Sequence, residues 1–228
     1  MNLTEIFAAY YVQYRAEATT PTSTDDEWTI AVRLFNEAIS RWSNYDGTYW
    51  KELFTTAQVD STGAVLTLAT GVATYAAPTA MREAGGSVKL YNASSVLVQY
   101  FPIIEPQDVQ FQSEEGTFCY FTGNPSSGFT LHLNKTPDAS INGFTIDYVY
   151  YKKPTLLTTA NTTTEMADPY FMVHRALANR FRVSRNPHYQ TAKVDAEDAL
   201  RTMQLDNNSG SWANPFSLPD RSGTSWGA

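Results

Sequence analysis

Cysteine, histidine and charge are scarce in this sequence, and each scarcity excludes a class of function. The chain has one cysteine and three histidines, so it cannot form an internal disulfide, and no Cys/His set has metal-site spacing. Charged residues make up 17% of the chain and the net charge is −7, whereas a sequence-reading DNA-binding protein presents a basic face. We therefore expect no metal, no cofactor and no sequence-specific binding of nucleic acid.

Long apolar runs and catalytic motifs are also absent. No run approaches the ~20 residues that cross a bilayer, and the N-terminus lacks a basic segment followed by an apolar one. We expect no membrane span and no secretory signal. The chain contains no Gly-x-Ser-x-Gly elbow, no phosphate loop and no dinucleotide fingerprint. These absences favour a protein that is not an enzyme.

Aromatic residues, in contrast, are abundant. They make up 14% of the 228 residues, and 14 of them are tyrosines. Such side chains build hydrophobic cores, and they are also enriched at protein interfaces. A chain of this length forms one large domain or two small ones.

Two helices are predicted near the N-terminus. Asn2 with Glu5, and Thr24 with Glu27, have the spacing of a capping box, in which each side chain bonds the backbone N–H of the other residue. Apolar residues at helical spacing follow each box. The two apolar faces consist of Leu3, Ile6, Phe7, Tyr10, Tyr11 and Tyr14, and of Trp28, Ala31, Val32, Phe35, Ile39 and Trp42.

Two further helices are predicted near the C-terminus. Asp168–Pro169 and Asn186–Pro187 each combine an N-cap residue with a proline that fits the first helical position. Because exposed amphipathic helices need partners, we expect the four helices to form one bundle that joins the two ends of the chain. The C-terminal apolar faces are Val173, Ala176, Leu177 and Phe181, and Tyr189, Ala192, Ala196, Ala199, Leu200 and Met203.

Between the helices, the sequence pattern changes to the period of two that is typical of strands. Several short strands with regular Gly- and Pro-containing turns predict a small antiparallel β-sandwich or barrel. Cys119, in Phe-Cys-Tyr-Phe, is expected to be a small buried residue, and His132 is expected to face solvent. The predicted strands lie at 65–69, 72–75, 87–91, 96–104, 117–122, 129–133 and 144–151.

The sequence therefore predicts an α+β fold in which a helical bundle carries an inserted β domain. A polar linker at 155–164 returns the chain to the bundle, and the Asp-Asn-Asn-Ser-Gly-Ser stretch at 206–211 is expected to hold no helix. The predicted parts are residues 1–54 and 165–205 for the bundle helices, 55–158 for the β domain and 206–228 for an extended C-terminal arm.

Two groups of residues are candidates for binding. Arg175, Arg182 and Arg185 lie off the apolar face of their helix, and with Arg180 they could form a phosphate clamp. Because Arg is enriched at interfaces, a solvated face or one that contacts a subunit or the portal is favoured over the clamp. The arm is unusual because disordered tails normally lack aromatic residues. It could fold back onto its own domain or dock on a partner through Trp212, Pro215, Phe216, Leu218 and Trp226.

Four motifs in order along the chain carry a family resemblance. They are Tyr-Trp-Lys-Glu-Leu-Phe at 49–54, Thr-Tyr-Ala-Ala-Pro at 74–78, Tyr-Val-Tyr-Tyr-Lys-Lys-Pro-Thr-Leu at 148–156, and Asp-Pro-Tyr at 168–170. Together with the paired helices at each end, they make the chain resemble the head–tail connector, or portal adaptor, proteins of tailed bacteriophages. The aromatic C-terminal arm departs from the resemblance, since its length and content are not fixed in such proteins.

The resemblance implies a structural virion protein at the head–tail neck, assembled in the host cytoplasm. It implies a ring, commonly dodecameric, that binds the portal protein ring, extends the DNA channel and offers a platform to tail or nozzle proteins. DNA would pass through the lumen without sequence-specific binding. Two alternatives stay open: a phage or host β-sandwich binding module for a receptor or carbohydrate, and a hydrolase with a dispersed active site.

Overall fold

The computed structural model of the protein describes residues 1–15, 22–57, 62–113 and 116–209. Helices occupy both ends of this chain and antiparallel sheets occupy the middle, so the predicted α+β class is confirmed. The described chain divides into two compact units. A helical unit contains residues 1–53 and 154–209, and a β unit contains residues 54–153.

The first helix, α1 (Leu3–Arg15), begins with the predicted capping box. The Asn2 side-chain oxygen accepts a hydrogen bond from the Glu5 N–H at 3.0 Å, and the Glu5 carboxylate accepts one from the Asn2 N–H at 2.8 Å. These bonds satisfy backbone donors that the first turn of a helix leaves unpaired. The apolar face of α1 is buried through Leu3, Ile6, Phe7, Tyr10 and Tyr11.

The second helix, α2 (Asp26–Ser43), does not begin as predicted. Asp25 precedes its first residue, and the Asp25 carboxylate accepts a hydrogen bond from the Thr22 N–H at 2.6 Å. The predicted capping box of Thr24 and Glu27 is wrong, because the Glu27 carboxylate instead bonds Arg180, far along the chain. A charged partner binds a carboxylate more strongly than a neutral backbone N–H does.

The third and fourth helices, α3 (Tyr170–Ser184) and α4 (Tyr189–Ser209), begin at the predicted signals. The Asp168 side chain accepts a hydrogen bond from the Tyr170 N–H at 3.0 Å, and Asn186 accepts one from the His188 N–H at 2.9 Å. Helix α3 packs against each of the other three helices and is therefore the centre of the helical unit. Its buried residues are Phe171, Met172, Val173, Ala176, Leu177, Ala178 and Phe181.

Helix α4 extends four residues beyond the predicted end at Leu205, so the prediction that 206–211 holds no helix is wrong as far as Ser209. The reason is a contact distant in sequence. The Asn207 side chain accepts a hydrogen bond from the Lys51 N–H and donates one to the Tyr49 carbonyl, both at 2.9 Å. These bonds hold the last turn against the loop after α2 and outweigh the low helix propensity of its residues.

The chain that returns to the helical unit after residue 153 is fixed by backbone contacts. The Asn36 side chain donates a hydrogen bond to the Leu157 carbonyl at 3.0 Å and accepts one from the Leu157 N–H at 2.8 Å. The Leu3 N–H donates to the Thr162 carbonyl at 2.9 Å. Leu157 is fully buried, so this polar segment adds one side chain to the helical core.

The β unit contains two antiparallel sheets. The first has the strand order β1-β7-β3-β4 and the second has the order β2-β6-β5. Within the described residues the sheets do not close into a barrel, so the barrel alternative is wrong. The strands are β1 (Phe54–Ala57), β2 (Thr74–Ala76), β3 (Met81–Tyr91), β4 (Leu97–Pro102), β5 (Cys119–Asn124), β6 (Gly128–Leu133) and β7 (Thr145–Lys152).

Side chains from both sheets share one hydrophobic core. Val88 and Tyr148 from the first sheet pack with Leu131 and Cys119 from the second. Cys119 is fully buried, which confirms its expected role, and burial raises the pKa of its thiol to about 12. The thiol is therefore protonated at neutral pH and is a poor nucleophile.

Candidate interaction surface

Residue types that often carry catalysis have structural roles in this protein. His132 is half-buried, stacks on Tyr120 with ring centroids 4.8 Å apart, and lies 2.7 Å from the Thr122 hydroxyl. The expectation that His132 faces solvent is therefore only half met. In the described part of the chain, no group of three or more His, Cys, Asp and Glu side chains could hold a metal ion.

A groove between α2 and α3 is a candidate interaction surface of the helical unit. It contains two clefts, with volumes of about 560 Å³ and 360 Å³, which share Glu37 and Asn179. The larger cleft carries two arginines, Arg41 and Arg175. The smaller cleft carries Arg33, Arg180 and Arg182, of which Arg33 and Arg180 are paired with glutamates. Its lining also includes the apolar residues Ile30, Leu34 and Val183. We refer to the larger one as the arginine cleft.

A cluster of charged and aromatic residues joins three helices beside the smaller cleft. One Arg180 nitrogen of α3 donates to both oxygens of Glu27 on α2, at 2.6 Å and 2.7 Å. The guanidinium also lies 5.1 Å from the centre of the Tyr14 ring on α1, and Arg15 lies 3.6 Å from Glu27. Burial alone would lower the pKa of Arg180, but Tyr10, Tyr14 and Glu27 raise it on balance.

Replacing Glu27 with glutamine should destabilise the helical unit by about 1–3 kcal/mol, because it leaves the half-buried Arg180 without its counter-charge. The measurement is urea unfolding followed by tryptophan fluorescence. Glu37→Gln is the matched control on the same helix. The Glu37–Arg33 pair is exposed and 3.7 Å apart, so its loss should change the unfolding free energy by less than about 0.5 kcal/mol. Equal effects of the two changes would contradict a specific role for Glu27.

The predicted binding residues have different environments. Arg182 and Arg185 are exposed, whereas Arg175 is half-buried in the arginine cleft. Arg185 also ends α3 with a left-handed backbone (φ 56°, ψ 32°), and the N–H of the next residue donates to the Phe181 carbonyl at 2.9 Å. Arg41 was not singled out by the sequence, because nothing local distinguishes it from other exposed arginines. The arm residues Trp212, Pro215, Phe216, Leu218 and Trp226 lie outside the described residues.

The helical unit combines both ends of the described chain, the β unit is inserted between them in sequence, and a mixed polar and apolar groove lies on the helical unit. The sequence profile described as SU10 adaptor protein matches residues 1–219, and the chain belongs to this family of bacteriophage head–tail adaptors. The resemblance to head–tail connectors is therefore confirmed. A comparison with curated proteins finds no match.

Family membership makes the protein a structural component of a phage virion and suggests that it is not an enzyme. It also implies contacts with portal and tail proteins. None of the described helices combines the length and the apolar character that crossing a bilayer requires.

Proposed function

We propose that the protein forms a ring on the portal at the head–tail neck, extends the DNA channel and provides the platform for tail or nozzle proteins. The family match over residues 1–219 carries this proposal. The α2–α3 groove supports it, because a mixed polar and apolar surface of this kind suits protein contacts better than solvent. Assembly takes place in the host cytoplasm, where the finished head receives its tail.

The charge of the chain suits a channel through which DNA slides. Twelve copies with a net charge of −7 each would carry about −84 in one ring. An acidic lumen repels the phosphate backbone, so DNA passes without sticking and without sequence-specific contacts.

The contacts with the portal are assigned to the C-terminal arm and to the exposed arginines. Trp212, Phe216 and Trp226 are costly to leave in water, so they suit anchor positions in portal pockets. Pro215 and Leu218 complete the apolar surface of the arm. Arg182 and Arg185 are exposed at the end of α3 and are available to the portal or to a neighbouring subunit. Ring symmetry repeats each contact, so many weak contacts between single subunits and the portal give strong binding of the whole ring.

Ring formation on a portal template is the test. The isolated protein at micromolar concentration should be a monomer or a weak oligomer, and addition of purified portal rings should produce a complex with twelve adaptor copies. Native mass spectrometry gives the copy number, and electron cryomicroscopy of the phage neck gives the position. Failure to bind portal rings would contradict the proposal. Stable rings without portal would contradict templating only.

A receptor- or carbohydrate-binding role for the β unit is the rival function. It is favoured by the outer face of the edge strand β4, where Val98 and Tyr100 are about half exposed. The two functions differ in copy number and position. An adaptor forms a single ring per phage, at one vertex. A receptor-binding module would instead be found at a distal or repeated position.

A further inference from the structure

Two half-buried arginines of α3 have different surroundings. Arg180 and Arg175 are both half-buried, and the Glu27 carboxylate neutralises Arg180. Arg175 forms no ion pair with any described residue. Burial lowers the pKa of Arg175, and the positive charge of Arg41 lowers it further. Burying a charge without an ion pair is costly. The fold of one chain offsets this cost for Arg180, through Glu27, but provides no ion pair from the described residues for Arg175.

The arginine cleft has the chemistry of an anion site. Arg41 and Arg175 line it together with Asn179. The Ser40 hydroxyl and the Asn44 amide also line it, but they already donate to the backbone carbonyls of Asn36 and Ser40. The guanidinium group has a planar fork of donors that matches a carboxylate or a phosphate. Neither arginine lies within ion-pair distance of an acidic side chain among the described residues, and Arg41 is exposed.

The acidic residues near the cleft favour a carboxylate over the phosphate backbone of DNA. Glu37 and Asp46 also line the cleft, so its charge is mixed, and a mixed surface suits the separate charges of a protein better than an extended polyanion. Glu197 of α4 raises the pKa of Arg175 without forming an ion pair with it, and its carboxylate lies 3.8 Å from the Lys193 ammonium. The cleft therefore suits two single carboxylates on a protein surface.

A matching pair of carboxylates lies on α4. Asp195 and Asp198 are exposed and form no ion pair with a described residue. Their spacing of three places them on one face of the helix, away from the buried positions Ala192, Ala196 and Leu200. Within the part of the chain that the structure describes, the helical unit thus carries two arginines without ion pairs in the cleft and two aspartates without ion pairs on α4. A heterologous contact between subunits requires two such different, complementary surfaces.

We propose that the arginine cleft is a subunit contact, in which Arg41 and Arg175 bind the carboxylates of Asp195 and Asp198 from a second copy of the chain. The contact rests on the ring proposed above and assigns residues to its repeated interface. Each copy supplies a cleft to one neighbour and an α4 face to the other, so the contact closes around the ring.

Charge reversal tests the contact. Arg175→Glu or Arg41→Glu should raise the protein concentration needed for half-maximal ring formation on portal by roughly 30-fold or more, because the reversed charge repels the neighbouring aspartates. Asp195→Arg with Asp198→Arg should have the same effect. A chain with all four reversals should assemble within about threefold of the unchanged chain, since complementarity is restored.

The controls separate assembly from folding. Lys51→Glu reverses an exposed charge of the helical unit that does not line the cleft, and it should leave ring formation unchanged. Tryptophan fluorescence during urea unfolding shows whether Arg175→Glu still folds, and the exposed Arg41→Glu serves as the second variant if it does not. Rings that tolerate both Arg→Glu changes, or that the fourfold reversal fails to restore, would overturn the contact but not the adaptor function. If the unchanged chain forms no ring on portal, both the contact and the adaptor function would be overturned.

Discussion

Truncation of Phe35 to alanine should lower the unfolding free energy of the helical unit by about 3–5 kcal/mol. Phe35 of α2 is completely buried, and its ring meets the Tyr10 ring of α1 edge-on, with centroids 5.6 Å apart. Truncation removes this contact and opens a cavity in the core of the helical unit, which close-packed neighbours cannot fully fill. Leu177→Ala on α3 should cost about 2–5 kcal/mol for the same reason.

Tryptophan fluorescence during urea unfolding follows the helical unit rather than residues 54–153 of the β unit. Trp28, Trp42 and Trp50 belong to the helical unit, and residues 54–153 contain no tryptophan. Val12→Ala on α1 is the control, because Val12 is 52% exposed and its truncation should cost little. If Phe35→Ala and Leu177→Ala both unfold like the unchanged chain, the N- and C-terminal helices do not share a core.

Sequence reasoning predicted helix starts well where the capping partner is local. Asn2 with Glu5, and Asn186 with His188, bond within three residues, so the sequence contains the whole interaction. It failed at Glu27 because the partner of that carboxylate, Arg180, is 153 residues away. The end of α4 was missed for the same reason, since Asn207 bonds Lys51 and so stabilises a turn of poor helix formers.

Strand β3 shows a second reason for error. The sequence predicted a strand from 87, but β3 begins at Met81 and continues through a Gly-Gly pair that reads as a break. The register with β7 shifts between Gly85 and Lys89, and Gly86 has φ +73°, so the pair forms a bulge inside one strand. A glycine-containing turn and a bulge look alike in a single sequence, and only the neighbouring strand distinguishes them.

The candidate site was only partly predictable. Arg175 and Arg180 are five residues apart on α3, and the sequence gives no reason to separate them. Their difference depends on α2, which provides Glu27 to one and Arg41 to the other. The order of motifs along the chain was enough to indicate the family. The cleft could not be predicted, because it forms between two helices that are distant in sequence.

Deletion of residues 210–228 should abolish stable binding to portal rings while leaving the helical unit folded. Two tryptophan anchors at about 2 kcal/mol each correspond to a loss of roughly 1,000-fold in affinity per subunit. The deletion should begin at 210 rather than 207, because Asn207 bonds the Lys51 N–H and the Tyr49 carbonyl within the helical unit. The deleted residues contain one acid, Asp220, and one base, Arg221, so the net charge does not change.

Point variants of the full chain identify the anchors. Trp212→Ala with Trp226→Ala should reproduce most of the loss, and Ser211→Ala with Ser225→Ala should have no effect, since these serines flank the anchors without large apolar surface. Binding to immobilised portal rings is measured beside urea unfolding. A deletion variant that is strongly destabilised would show that the arm belongs to its own fold. One that is stable and still binds portal would move the docking surface to the exposed arginines, Arg182 and Arg185, because they are the other residues assigned to this contact.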